Sequence, residues 1–291
     1  MTIPVLPGLA TLAAKYDGFI LDLWGVIHDG TAPYPGAVDA LQHLKDLGKK
    51  TVLLTNAPRR GGAVIELMNN LGIPRHLYGG VMSSGEAVHI EMRDRADPAF
   101  KALGTRLYHL GPERDRNIFD QMPDYQEVDS VEEADFVLNT GPVSFDETLA
   151  DYEDVLAAAA ARRLPMVCAN PDLIVMRKGE RVMCAGALAV HYRELGCQVL
   201  ERGKPDPAIY DACLEELGIK DRSLVLAVGD ALHTDIKGAS QANIAAVMVA
   251  SGIHAEELGI AWGEMPEASR AEALALHHGQ HPIAVIPAFV W

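Results

Sequence analysis

Phe19-Ile20-Leu21-Asp22-Leu23-Trp24-Gly25-Val26 is an apolar run broken by a single carboxylate. Residues 19–22 read as a short buried strand. A carboxylate at the tip of such a strand is costly unless it has a partner or a task. Far along the chain a second apolar run, Leu224-Val225-Leu226-Ala227-Val228, ends in Gly229-Asp230, with Asp235 five residues on. Two strand-end carboxylate sites in an α/β pattern point to one oxygen-rich magnesium site at the carboxyl edge of a parallel sheet.

The surrounding sequence supplies the sheet. Ala37, Val38, Leu41, Leu44 and Leu47 recur at helical spacing, and Gly48 follows as a C′ residue. Residues 51–54 predict a second buried strand ending in Thr55-Asn56. Ile65, Met68 and Leu71 mark a helix closed by Gly72, and 78–82 predict a third strand ending in Ser83-Ser84. This βαβαβ order predicts an α/β fold, a doubly wound parallel sheet with right-handed crossovers. The middle third has its own α/β rhythm, with strands expected at 105–110, 136–138 and 166–169 and an alanine-rich helix over 149–163. We read it as a second domain, 98–198, inserted into a core formed by 1–97 and 199–291. The first pattern then resumes with a helix through Ile209, Cys213 and Leu217, the strand 224–228, a helix over 236–242 and a strand at 245–249. Residues 283–286, between Pro282 and Pro287, predict an edge strand.

A net charge of −15 argues against nonspecific nucleic-acid or acidic-membrane binding, both of which need clustered Lys and Arg. It leaves a small anionic substrate open, because one cation in a cleft reverses the local sign. Cys168, Cys184, Cys197 and Cys213 show no CxxC spacing, which favours reduced thiols over a zinc site or a disulfide framework. No apolar run is long enough for a membrane span. Residues 1–14 lack a basic flank followed by an apolar core, so the expected location is cytoplasmic.

Four elements sit at the carboxyl end of a predicted strand or open a helix: Asp22, Thr55-Asn56, Lys204 in Gly203-Lys204-Pro205, and Asp230 with Asp235. In an open parallel sheet these ends converge on one crevice. Phosphoryl transfer needs such parts: a nucleophile, donors and positive charge for phosphate oxygens, and a divalent ion. The Asp22 carboxylate can attack phosphorus, Thr55 and Asn56 can donate hydrogen bonds, and Lys204 can neutralise charge. Asp22, Asp230 and Asp235 can hold Mg²⁺. Each residue alone has a plainer reading. Thr55-Asn56 is ordinary turn chemistry, Asp230 and Asp235 are helix caps, and Lys204 is a solvated lysine. Gly203-Lys204-Pro205 is no P-loop, since Pro205 stands where Ser or Thr would bind magnesium. For His28, Asp29 and His233 the plain reading is preferred, and for Arg59 and Arg60 surface charge is an even alternative to phosphate attraction.

As a set, Phe-Ile-Leu-Asp22-Leu-Trp-Gly-Val, Leu-Leu-Thr55-Asn56, Gly-Lys204-Pro and Val-Gly-Asp230-Ala-Leu-His-Thr-Asp235-Ile resemble the four motifs of the haloacid dehalogenase (HAD) superfamily. The insertion between the second and third motifs resembles the C2 cap of its class IIA, NagD-like branch, as do Ala169-Asn170-Pro171-Asp172 and Lys-Pro-Asp-Pro. The resemblance spans roughly residues 17–255, and four ordered motifs carry more weight than any one of them. It implies a Rossmann-like core with an inserted C2 cap, and a phosphatase acting on a small phosphorylated metabolite. It further implies Asp22 as the nucleophile of an aspartyl-phosphate intermediate, Thr55 as a phosphate ligand and Lys204 as the charge stabiliser. Mg²⁺ would be held by Asp22, the backbone carbonyl of Trp24, Asp230 and Asp235. Asn170 and Asp172 would face the crevice from the cap and select substrate. Caps of this class pair, so a homodimer through the cap is expected.

One position departs from the pattern. Trp24 stands where HAD phosphatases carry the aspartate that protonates the leaving oxygen and activates water, and indole can do neither. Losing a positioned acid/base costs about 10²–10⁴ in rate. Three consequences stay open: substrates with undemanding leaving groups such as acyl or aryl phosphates, replacement by His28 or Asp29, or a phosphate-ester-binding or regulatory protein without turnover. An aromatic residue at this position also resembles dehalogenating members, but a carboxylate displacing halide needs no metal pair.

Overall fold

The computed structural model describes residues 3–177 and 180–291. In chain order the strands are β1 (Gly18–Leu21), β2 (Lys50–Thr55), β3 (Gly80–Ser83), β4 (Arg106–Leu110), β5 (Gln126–Glu127), β6 (Phe136–Asn139) and β7 (Met166–Cys168). They continue with β8 (Ile174–Arg177), β9 (Glu180–Met183), β10 (Val199–Glu201), β11 (Val225–Gly229), β12 (Ala245–Val249) and β13 (Ala284–Ile286). Among the described residues they form a six-stranded sheet, order β13-β12-β11-β1-β2-β3, a five-stranded sheet, order β10-β7-β6-β4-β5, and the antiparallel hairpin β8-β9. Every pairing in the two larger sheets is parallel. The molecule is thus a Rossmann-like α/β core with an α/β cap inserted between β3 and β11.

Both faces of the core sheet are covered, which is why its strands read as unbroken apolar runs. Alternate residues serve opposite faces. Phe19, Leu21, Leu53, Leu226 and Val228 pack into one cluster, while Ile20, Val52, Leu54, Val225 and Ala227 pack into the other. The cap sheet divides likewise, with Phe136, Leu138 and Val167 on one side and Val137, Met166 and Cys168 on the other. All four cysteines are unpaired. No described helix is long and apolar enough to cross a membrane.

The order reverses at β1, since β2 and β3 build to one side of it and β11, β12 and β13 to the other. A crevice opens at the carboxyl ends of the strands at such a switch point. Leu21 pairs with both Leu53 and Val228, so β1, β2 and β11 run out side by side, and the Asp22 N–H extends the ladder to the Val228 carbonyl at 2.9 Å.

Several elements depart from the sequence expectations. Val199–Glu201 pair with β7, so the cap sheet runs through Glu201 and the return to the core comes later than 199. β3 begins at Gly80 rather than 78, because the Arg75 guanidinium takes the carbonyls of Tyr78 and Gly79. The helix expected over 149–163 splits into a 3₁₀ turn, Leu149–Tyr152, opened by a Thr148/Asp151 capping box, and the α-helix Glu153–Ala161. The helix expected from 236 is preceded by a π-helical turn, Leu232–Ile236, and itself spans Lys237–Gln241. The β8-β9 hairpin was not anticipated.

Phe19 is fully buried at the centre of the core sheet. Truncation to Ala leaves a cavity and is expected to cost about 3–5 kcal/mol of core stability. Chemical denaturation followed by hydrogen exchange in β1 and β2 checks this.

Candidate active site

The turn after β1 carries Asp22 and then bends sharply. Ile27 and His28 N–H groups both return to the Leu23 carbonyl, and Gly25 adopts a φ of 78°. A side chain on Gly25 would run into the Asp230 carboxylate, as would one on Gly252. Glycine at these two positions lets two loops close on one carboxyl group.

Asp22, Asp230 and Asp235 bring carboxylate oxygens within 4.8 Å of one another, all three buried. Lys204 Nζ donates to Asp22 Oδ1 at 2.5 Å and to Asp235 Oδ1 at 2.7 Å, and is 3 % exposed. Asp230 accepts the Ile253 N–H at 2.7 Å, and Asp235 accepts the Ala231 N–H at 3.1 Å. The loop between them is tied further by His254, whose Nε2 accepts the Leu232 N–H and whose Nδ1 meets Glu257 at 2.8 Å.

Charge in this cluster does not balance: three carboxylates face one ammonium. Burial pushes the Asp22 carboxyl well above its usual range, with Asp235 adding to the rise and Lys204 opposing it. Burial and the Asp235 charge push Asp230 up to about 7. Burial alone would lower Lys204, but Asp22, Asp235 and Asp172 outweigh it, so the ammonium stays charged. A buried all-oxygen donor set with excess negative charge fits a hard divalent cation. The Trp24 carbonyl has no hydrogen-bond donor among the described residues, which leaves it available to such an ion.

A cavity of about 410 Å³ opens over the cluster, lined among others by Asp22, Trp24, Thr55, Asn170, Asp172, Lys204, Asp230 and Asp235. Eight of the nine expected site residues therefore share one space. Asn56 is the exception. It is 1 % exposed and does not line the cavity, and its amide is fully used. Nδ2 donates to Asp172 Oδ1 and to the Lys204 carbonyl, and Oδ1 accepts the Lys204 N–H at 2.8 Å. The expected substrate contact is replaced by a brace that holds the Lys204 backbone and reaches across to the cap. Asn170 Oδ1 accepts the Asp172 N–H in an Asx turn around Pro171, while both residues still face the cavity.

The surroundings of Trp24 decide what replaces the missing acid. Its ring lies over Gly30, whose φ of 83° and lack of Cβ make room for it, and edge-on to His28 with centroids 5.1 Å apart. His28 Nδ1 accepts the Gly30 N–H, leaving its proton on Nε2, which is buried without a hydrogen-bond partner. Burial drives its pKa down to about 4, so at neutral pH it is uncharged and no general acid. Asp29 accepts from Thr31 N, Thr31 Oγ1 and Ala32 N, closing a turn away from the cavity. His28 lines the cavity, whereas Asp29 does not.

Sequence reasoning left several residues unassigned. Arg59 lines the cavity and pairs with buried Asp115 of the cap at 2.8 Å, whereas Arg60 is held by Glu86 outside it. Arg114, Phe145 and Arg177 form part of the cap wall. Only the hairpin had a local signal: two short runs separated by a two-residue gap containing Gly179.

Comparison with known proteins agrees with this geometry. A family model described as haloacid dehalogenase-like hydrolase matches residues 19–122, and a HAD-hydrolase-like model matches 201–274. D-glycerol 3-phosphate phosphatase of Mycobacterium tuberculosis is 25 % identical, covering 97 % of this chain and 77 % of its own length. Ribonucleotide monophosphatase NagD of Escherichia coli is 27 % identical over 80 % of this chain and 87 % of its own. A crystal structure of a haloacid dehalogenase-like hydrolase from Brucella suis 1330 is 33 % identical and superposes with a TM-score of 0.84, covering 98 % of this chain and all of that one. The two family models match parts of the chain before and after the middle of the cap, the Brucella structure covers nearly all of it, and the chain belongs to the haloacid dehalogenase-like hydrolases, in their class IIA, NagD-like branch.

Proposed function

We propose that the protein is a Mg²⁺-dependent phosphatase acting on a small phosphorylated metabolite through an aspartyl-phosphate on Asp22. The observation that carries this reading is the Lys204 ammonium held between Asp22 and Asp235 beneath the cavity. Lys204 engages only Asp22 Oδ1, which leaves Oδ2 to attack phosphorus as the bond to the leaving oxygen breaks. Thr55, at the end of β2, lines the same space and can donate to a phosphate oxygen. Asp22, Asp230, Asp235 and the Trp24 carbonyl would hold the cation, which when bound supplies positive charge to the phosphoryl oxygens and to Asp22. Asn56 fixes Lys204. Asn170 and Asp172 close the cavity from the cap and exclude water.

Neither Trp24 nor Asp29 supplies the proton that the leaving oxygen needs, and His28 is held neutral by burial. The reading therefore favours substrates whose leaving groups depart as stable anions, aryl and acyl phosphates above alkyl ones. The same observation supports a second reading, a binding or regulatory protein that has lost turnover on the HAD core. Halide displacement is less favoured, because it gives the carboxylate cluster no use.

Asp22→Asn is expected to abolish phosphate release from 4-nitrophenyl phosphate with Mg²⁺; full retained activity would remove Asp22 as nucleophile. Trp24→Asp restores an acid beside the leaving group and is expected to raise turnover of alkyl phosphates by about 10²-fold or more. Steady-state rates on paired aryl and alkyl esters read this, and a fall would give Trp24 a role of its own.

Without a cation, the raised Asp230 pKa favours the protonated folded state. That contribution is full below the ordinary value of 3.8 and is lost as pH rises through about 7. Cation binding needs the ionised form, so the opposite trend holds with metal. Added Mg²⁺ is expected to raise the melting temperature more at pH 8 than at pH 5.5; equal shifts in thermal scans would contradict the site.

A further inference from the structure

The cap wall opposite the carboxylate cluster has a charge pattern that phosphate binding does not use. Arg114 comes from the 3₁₀ turn Glu113–Ile118, Arg177 ends β8, and Phe145 lies in the loop before Leu149–Tyr152. These three cap segments meet at one point of the cavity. The two guanidinium carbons sit 5.2 Å and 4.0 Å from the Phe145 ring centroid. The ring is 46 % exposed, so it serves as a shelf for the two cations rather than as core.

Neither guanidinium has a carboxylate within 4.0 Å among the described residues, although the chain carries fifteen more acidic than basic side chains. Arg59, a third arginine that lines the cavity from the core, is already paired with Asp115 of the cap. Burial pushes the Arg114 guanidinium below its ordinary value; Asp115 opposes this, and the like charges of Arg59 and Arg177 add to it. Two like charges held together on one aromatic ring repel each other, and an anion placed between them or against both would offset that repulsion.

The transferred phosphoryl group has partners of its own, Lys204 and Thr55 at the core sheet edge, whereas Arg114 and Arg177 belong to the cap. The same cavity is also lined by the apolar side chains Val64, Leu67, Ile174 and Met176. We infer that the substrate is anionic at both ends: a phosphate ester whose leaving group carries a second anionic group, read by Arg114 and Arg177, across a short apolar or weakly polar spacer. The planar guanidinium fork suits a carboxylate or a second phosphate equally. This rests on the phosphatase reading for the first end and on the arginine pair alone for the second.

The test uses matched probes: glycerol 3-phosphate against 3-phosphoglycerate and glucose 6-phosphate against 6-phosphogluconate for a carboxylate, and fructose 6-phosphate against fructose 1,6-bisphosphate for a phosphate. Two readouts separate the claims. The kcat/KM of each probe with Mg²⁺ reports catalysis, and calorimetric binding to Asp22→Asn protein with Mg²⁺ reports recognition whether or not turnover occurs. The acidic member of at least one pair is expected to bind at least tenfold more tightly, and the arm that responds identifies the anion. Arg114→Gln and Arg177→Gln should each erase most of that preference, and Arg177→Lys, which keeps charge without the fork, should keep part of it. Equal binding within all three pairs overturns the inference, as does a preference unchanged in both glutamine variants while circular dichroism shows them folded. Binding preference without phosphate release would uphold it and reject the phosphatase reading.

Discussion

The ion cluster around Lys204 is the constraint on which the site's arrangement depends. Its ammonium bridges Asp22 from the first strand and Asp235 from the turn after β11, and it arrives from the segment that brings the chain back from the cap. Removing one partner of such a buried set costs about 3–5 kcal/mol, because the charge left behind has no water to replace it. The cluster can therefore form only when both halves of the core and the returning cap segment are in place together. The surplus carboxylate charge that remains is what makes the site receptive to a cation. Structure and proposed chemistry rest on the same imbalance.

Polar contacts between cap and core extend this logic outward. Asn56 meets Asp172, Arg59 meets Asp115, and the Asn117 side chain takes the Arg60 N–H. At the far rim Arg181 meets Glu256 at 3.2 Å, an exposed pair worth little. Near the chain's entry into the cap the contact is continuous: Tyr125 Oη donates to the Met92 carbonyl, and Val88 and Met92 pack into an apolar cluster with Phe100, Leu107, Ile118 and Phe136 of the cap. Asn56 joins the two scales, since one amide fixes the Lys204 backbone and also reaches the cap residue that faces the cavity.

Trp24 gives the site its individual character. The backbone turn that an aspartate would occupy is kept, with Gly25 and Gly30 bending around it, while the side chain is an indole packed over glycine and beside a neutral histidine. Of the polar neighbours that sequence offered as substitutes, Asp29 is engaged by its own turn, while His28 is kept neutral by burial with Nδ1 on the Gly30 N–H.

The core was legible in the sequence because a parallel sheet buried on both faces writes itself as short apolar runs ending in glycine, carboxylate or hydroxyl residues, as at 19–22, 51–55 and 225–230. Those strand ends converge by topology alone, so Asp22, Thr55, Asp230 and Asp235 could be assigned to one crevice before any contact was known. The role of Asn56 could not, because Asn at a strand end donates equally well to a phosphate or to a neighbouring backbone, and only the position of Lys204 decides between them. The membership of Val199–Glu201 in the cap sheet and the meeting of Arg114, Phe145 and Arg177 were likewise invisible. Local periodicity determines which segments are strands and which faces they bury. Which loops meet across a cavity is set by how two separately packed layers dock, and that depends on contacts between residues far apart in the chain, which leave no local trace.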